Sequence, residues 1–215
     1  MRSPEAEEIE SVRRIYESSF PECERADFDK LLRHRERGCS RLLGIYDGPL
    51  RGFSYVMYDE SIVFILYLAV DERSRGRGLG SSAIDDIRRM FPGRRIFLNI
   101  EPPDEGVPER EIRMRRKSFY ERNGFEAEGR LLTAECNYIM MCSGGAITGQ
   151  ELASFRKKVG LDALFDGDIE LVGLDSISCR ACDRSRSGPG IFRLQCRQCR
   201  PRTKDGDRIQ DSHPL

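Results

Sequence analysis

The sequence predicts an α/β (α+β) fold: a mixed, largely antiparallel central sheet flanked by helices, followed by a small cysteine-rich appendage. Three observations carry this expectation. Runs of branched and aromatic residues separated by turn residues follow two helical segments and predict an antiparallel meander over residues 41–70. Beyond residue 70 helical and strand patterns alternate, which places helices against the sheet. Four cysteines after residue 178 fall in two close pairs.

The elements follow in order. Ser3 and Pro4 precede a glutamate-rich turn and predict a helix with Ser3 as cap and Pro4 at its first position. Ile9, Val12, Ile15, Tyr16 and Phe20 then recur at helical spacing until Pro21. A second, more charged helix is predicted over 27–37, closed by Gly38. Strands are predicted over 41–46, 50–58 and 61–70, divided by Asp47-Gly48-Pro49 and by Asp59-Glu60. The third is apolar nearly throughout, as in a central strand buried on both faces. A polar loop leads to a helix whose Leu79, Ala83, Ile84, Ile87 and Phe91 share a face, stopped by Pro92-Gly93. A strand over 95–101, an irregular insertion over 102–108 and a helix over 109–122 come next, the helix ending at Asn123-Gly124. Strands over 125–132 and 137–142 follow, then a capping box, Thr148-Gly149-Gln150-Glu151, opens a last helix ending near Gly160.

The composition bounds what the chain does. Its 215 residues suit one medium domain with a small appendage, and 39% hydrophobic with 33% charged residues argues against a wholly disordered chain. The longest apolar run, residues 62–70, falls well short of the roughly 20 residues a membrane-spanning helix needs. The first ten residues are rich in glutamate, so no signal peptide and no membrane partner are expected, and the cytoplasm is the expected location. The balance of 36 basic and 36 acidic residues hides an asymmetry: residues 1–145 carry 24 basic against 26 acidic, residues 178–215 nine against four. The domain organisation expected is 1–160 for the main domain, 161–177 as connector, 178–203 as a four-cysteine module and 204–215 as a disordered tail.

Arg75-Gly76-Arg77-Gly78-Leu79-Gly80 lies between a buried strand and a helix and has the ingredients of a phosphate site. Glycines let the backbone approach a ligand, and a helix start turns unpaired N–H groups toward an anion. A flexible arginine-rich turn is the bland alternative. Gly78-x-Gly80-x-x-Ala83, with Glu101 21 positions after Gly80, also fits a dinucleotide fingerprint. That fold, however, places its glycines directly after the first parallel strand, whereas seven residues separate Val70 from Gly78 and the preceding strands form a meander.

Two motifs give the chain a resemblance to a known family, the GCN5-related N-acetyltransferases (GNAT). A central strand followed by [Q/R]-x-x-G-x-[G/A] is matched by residues 66–70 and 75–80, and F-Y-x-x-x-G-F by Phe119-Tyr120 through Gly124-Phe125. The resemblance covers residues 1 to about 160. It implies acetyl-CoA as co-substrate, with backbone amides of Arg75, Gly76, Arg77, Gly78, Leu79, Gly80 and Ser81 around the pyrophosphate. Backbone groups of Leu68, Ala69 and Val70, at a splay in the sheet, would hold the pantetheine and the acetyl carbonyl. Tyr120 would be the general acid for the departing thiolate, in a direct transfer to an amine within a ternary complex. The chain departs from the family at Leu66, where relatives carry a glutamate, and at Arg113, where they carry an asparagine. Glu101 is the candidate base, acting through a water, or else a solvated strand-end carboxylate. The acceptor, whether small molecule or protein, is expected against Tyr16 and residues 20–25, where Glu22 and Glu24 either attract a cationic amine or belong to a solvated turn.

Cys179, Cys182, Cys196 and Cys199 form C-x2-C-x13-C-x2-C, a spacing that can close a tetrahedral, structural Zn2+ site resembling a zinc ribbon. Incidental cysteines in a disordered tail and redox-active pairs remain open alternatives, as does binding of a nucleic acid by the interleaved arginines. The expected function is N-acetyl transfer. The alternative is a catalytically degenerate acyl-CoA-binding module whose tail docks on nucleic acid or a protein.

Overall fold

A computed structural model describes residues 1–104, 106–132, 137–165 and 173–175. The four-cysteine module and the tail after it lie outside the described residues. Among the described residues, seven strands form one sheet in the order β1-β2-β3-β4-β6-β5-β7. These are β1 (Ser40–Tyr46), β2 (Leu50–Tyr58), β3 (Ile62–Val70), β4 (Arg95–Ile100), β5 (Glu126–Leu132), β6 (Asn137–Ser143) and β7 (Gly173–Asp175). Every pairing is antiparallel except β3 with β4. A right-handed crossover through a helix is the usual way to make such a parallel pair.

Helices cover both faces. Side chains of α1 (Ile9–Ser19), α2 (Phe28–His34) and α5 (Gly149–Val159) join one apolar cluster with Phe53, Tyr67 and Phe97. Those of α3 (Leu79–Met90) and α4 (Arg110–Arg122) join the other with Val63, Ile65, Leu98 and Ile100. β3 feeds both clusters, which is why its sequence is apolar almost throughout. The expected mixed, largely antiparallel sheet between helices is therefore the fold observed.

One expectation is corrected. Ser3 and Pro4 do not start α1; Arg2 instead bridges to Gly44 beside β1, and the first helical turn begins at Ala6. There the Glu8 N–H donates to the Glu5 backbone carbonyl at 3.0 Å, while the Glu8 carboxylate accepts from the N–H of Glu5 at 2.8 Å. Glutamate thus serves as cap where serine was expected. Past residue 160 the described chain stays against the domain. Leu161 and Leu164 are buried in the core, and Gly173–Asp175 adds a seventh strand against β5.

One irregularity shapes the centre of the sheet. β3 and β4 pair only at Ile62↔Arg95, Val63↔Ile96 and Phe64↔Phe97. Past that point β3 stays with β2 as far as Val70, and β4 stays with β6 as far as Ile100. The two strands part, and a shift of register between Tyr55 and Val56 bulges β3 at Leu66. A bulge bends and twists its strand, which is what divergence requires.

Candidate functional site

The opening between β3 and β4 is the candidate site. Alternate backbone N–H and C=O groups of β3 from Leu66 to Val70 point to the side that β4 has vacated, and a buried strand edge has to find hydrogen-bond partners. Leu66, Leu68 and Val70 are half-buried there, whereas Ala69 is buried. The expected splay at Leu68, Ala69 and Val70 is thus present.

The glycine loop stands beyond the end of β3. Asp71 accepts from the Arg73 N–H at 3.1 Å and turns the chain through a short helical turn, Glu72–Ser74. Gly76 and Gly78 both have φ 78°, a left-handed conformation that a side chain disfavours. Gly78 is the N-cap of α3 but offers no side chain to the first turn, and no acidic residue stands in that turn. The N–H groups of Leu79, Gly80 and Ser81 therefore start the helix without a capping side chain, an arrangement suited to an anion. The side chains of Arg75 and Arg77 are occupied elsewhere. Arg75 Nε donates to the Val70 carbonyl at 3.2 Å, and Arg77 pairs with Asp47. Here the backbone, more than the guanidinium groups, is free to meet a ligand.

The second motif packs on the first. A Cβ added at Gly80 would lie 3.0 Å from Phe119 Cζ, so glycine is what lets α3 approach the end of α4 so closely. The next residue, Tyr120, is buried between Phe119 and Phe125, with ring centroids at 5.1 and 5.7 Å. It shares its cluster with Leu98 and Ile100, which lie past the last β3–β4 pair, and Leu68 packs against the same cluster. Burial pushes the Tyr120 hydroxyl up to about 12, against a smaller opposing effect of Arg116. It is protonated at neutral pH. Among the described residues it has no hydrogen-bond partner.

Glu101 stands one residue past β4. Its oxygens accept from Arg113 at 2.7 Å and from Arg116 at 3.2 Å, and Arg113 also donates to the Pro102 carbonyl at 3.3 Å. Glu101 thus ties α4 to the end of β4. Both carboxylate oxygens are thus engaged by guanidinium groups. Arg113, at the place of the expected asparagine, is one of the two partners that make it so.

On the opposite face, the chain at Glu24 and Ala26 forms a wall fastened to the diverging part of β3. The Tyr67 hydroxyl, from β3, donates to the Glu24 carbonyl and accepts from the Ala26 N–H, each at 2.9 Å, and the Tyr16 hydroxyl donates to the Ala26 carbonyl at 2.8 Å. Two features of this wall were not legible in sequence. Glu24 is half-buried, and its carboxyl is raised above the usual range by burial first and by Glu101 second, with Arg116 and Arg113 opposing. Asn99, on the β4 face that carries Phe97, keeps its buried Oδ1 without a partner. Both effects come from groups far away in the chain. The four cysteines 179, 182, 196 and 199 lie outside the described residues, and among the described residues no group of ligands could hold a metal. Nor, among them, is any helix long and apolar enough to cross a membrane.

Comparison with known proteins agrees with this geometry. A family model described as "Acetyltransferase (GNAT) family" matches residues 9–125. A Bacillus subtilis (strain 168) protein named "Putative acetyltransferase YjbC" is 36% identical over 67 residues, 31% of this chain and 32% of its own, so the match spans about a third of that relative. Among solved structures, "Putative acetyltransferase from GNAT family from Bacteroides thetaiotaomicron" has a TM-score of 0.59 at 19% identity, covering 75% of this chain and 94% of its own. An aminoglycoside 6'-N-acetyltransferase complexed with coenzyme A has a TM-score of 0.54 at 16% identity, covering 65% of this chain and 91% of its own. At such identities the structural likeness concerns the fold.

Proposed function

The chain belongs to the GNAT family of acetyltransferases, and we propose that it transfers an acetyl group from acetyl-CoA to a primary amine. The observation that carries the reading is the combination of three features around the β3–β4 divergence: β3 backbone that β4 does not pair, an α3 start without a capping side chain, and a buried tyrosine whose hydroxyl has no partner among the described residues. Backbone amides of residues 75–81 hold the pyrophosphate, and those of Leu68 and Val70 hold the pantetheine and the acetyl carbonyl. Orienting the two reactants in one cleft supplies much of the acceleration. Tyr120, protonated at neutral pH, donates to the thiolate as it leaves. That a relative of similar fold was solved with coenzyme A supports the choice of co-substrate.

The test is a binding and turnover measurement. Acetyl-CoA is expected to raise the melting temperature of the purified protein, and a panel of primary amines is expected to release free coenzyme A. The absence of both a thermal shift and retention of acetyl-CoA would sink the transferase reading. Binding without turnover on any amine would leave the acyl-CoA-binding module, which Leu66 at the bulge favours.

For the C-terminal module we infer a structural Zn2+ site on Cys179, Cys182, Cys196 and Cys199, supported by the two C-x2-C pairs. Metal analysis is expected to give one zinc per chain, lost in Cys179→Ser with Cys196→Ser. The arginines interleaved with these cysteines would dock the module on an acidic partner or a nucleic acid.

A further inference from the structure

We propose that Glu24 is the catalytic base and the cation anchor of the acceptor site, so that the acceptor is a primary amine that arrives protonated. The inference rests on the transferase reading above. It answers a gap which that reading leaves: the strand position where relatives carry a glutamate holds Leu66, and Glu101 is held by Arg113 and Arg116.

Three observations lead to Glu24. First, its place is fixed. Tyr67 comes from the diverging part of β3 and bonds the Glu24 carbonyl and the Ala26 N–H, while Tyr16 bonds the Ala26 carbonyl. A carboxylate on a segment pinned at its backbone is already oriented, as a group acting on a substrate proton has to be.

Second, the Glu24 carboxylate has no hydrogen bond or ion pair among the described residues, although it is half-buried and near charged groups. The neighbours it feels are Glu101, Arg113 and Arg116 across the opening, with Tyr67 beside it. The two arginines are engaged by Glu101. Leaving a partly desolvated charge unpaired is costly, and a ligand cation relieves that cost.

Third, Asn99 offers a buried oxygen with no partner on the same face of β4, past its last pair with β3. Glu24 and Asn99 each present an unused acceptor among the described residues. An ammonium group has three N–H donors and no acceptor, and so complements them. Arg25 and Arg113 also keep a buried Nε without a partner, each on a guanidinium that carries its own charge. The cationic part of the acceptor is therefore directed to Glu24.

The chemistry balances. Glu24 takes one proton from the acceptor ammonium, breaking an N–H bond and forming an O–H bond. The freed lone pair then forms the C–N bond to the thioester carbonyl carbon of acetyl-CoA. As the C–S bond breaks, Tyr120 gives its proton to the departing thiolate and regains one from the new amide nitrogen. Glu24 returns its proton to water. A carboxyl raised toward neutrality accepts a proton more readily than an ordinary one, and for the same reason activity is lost as pH falls through its raised value.

The test uses the full-length protein with acetyl-CoA and a panel of putrescine, spermidine, tyramine and a lysine-containing peptide. Glu24→Gln is expected to raise KM for the accepted amine by about tenfold or more. It is also expected to flatten the acid limb of the pH profile of kcat and to leave the acetyl-CoA dissociation constant unchanged. Glu17→Gln, on the exposed face of α1, is the control and is expected to behave as wild type. Unchanged KM and pH profile in Glu24→Gln would overturn the proposal while leaving the transferase reading intact. So would acetyl-CoA binding by the wild type with transfer only to neutral acceptors or to no panel member. Failure of the wild type to bind acetyl-CoA would overturn the transferase reading, and this proposal with it.

Discussion

The same two strands are zipped at one end and open at the other. At the closed end Phe64 stacks on Phe97, with centroids 4.4 Å apart and planes within 7°, over the last backbone pair. Arg95, which opens β4, binds both oxygens of Glu151 at 2.6 and 3.3 Å and the Ala146 carbonyl at 2.7 Å, which fastens α5. At the open end the inventory reverses: among the described residues a tyrosine hydroxyl, an asparagine oxygen and a carboxylate are all left without partners. The closed end is built to be satisfied by the protein itself. The open end has hydrogen-bonding capacity that the described protein does not use, and a substrate can use it. Substitutions should separate accordingly, those at the open end changing activity and those at the closed end changing stability.

The strongest test of that division is Tyr120→Phe. Removing the hydroxyl is expected to lower kcat roughly 10²- to 10⁴-fold, the usual reach of a general acid. The acetyl-CoA dissociation constant and the melting temperature should scarcely change, because a hydroxyl with no partner contributes little to the fold. Stopped assays of coenzyme A release beside thermal denaturation would measure both. A marked loss of stability with little loss of kcat would break the comparison.

Gly78→Val comes next in size. Gly78 has φ 78° at the start of α3, and nothing lies within 4 Å of an added Cβ, so the penalty comes from the backbone and not from crowding. Forcing an L-residue into that region costs roughly 1–2 kcal/mol, more for a branched one, and rebuilding the loop would turn its amides away. Acetyl-CoA affinity is expected to fall about tenfold or more by calorimetry, with the amine dependence unchanged.

The two ends also differ in how far they were legible in sequence. The strands, the helices and the glycine loop could be read because their causes are local: alternation, turn residues, capping boxes and the left-handed positions that glycine fills. Leu79 to Phe91 was readable as one apolar face, and Thr148 with Glu151 as a cap. The start of α1 was misread because Glu5 stands at the cap, its N–H held by the Glu8 carboxylate, where serine is usual. The splay is a matter of pairs that do not form, and Leu66 looks like any other apolar strand residue. Glu24 owes its raised carboxyl to burial and to Glu101, 77 positions away, so no spacing rule could find it. Tyr120 and Glu101 were both singled out from sequence. Only the structure places Glu101 between Arg113 and Arg116, a contact no motif encodes.

The smallest effect belongs to the closed end. Glu151 is held at about 2, well below its ordinary value of 4.5, first by the Arg95 guanidinium and then by the Thr148 N–H and hydroxyl. A carboxyl lowered by folding adds stability that is fully present above its ordinary value and is lost as pH falls from about 4.5 toward about 2. The site is exposed to solvent and screened, so the contribution is modest. Glu151→Gln keeps a capping side chain for α5, since glutamine also completes the box, and removes only the charge that Arg95 grips. Chemical unfolding between pH 2 and pH 7 should therefore show the variant slightly less stable than wild type at neutral pH, with the two curves converging near pH 2. Acetyl transfer at pH 7 should be unchanged. If it were not, the zipped end would be shaping the open one, and α5 with β4 would have to be counted among the parts that set the angle of the splay.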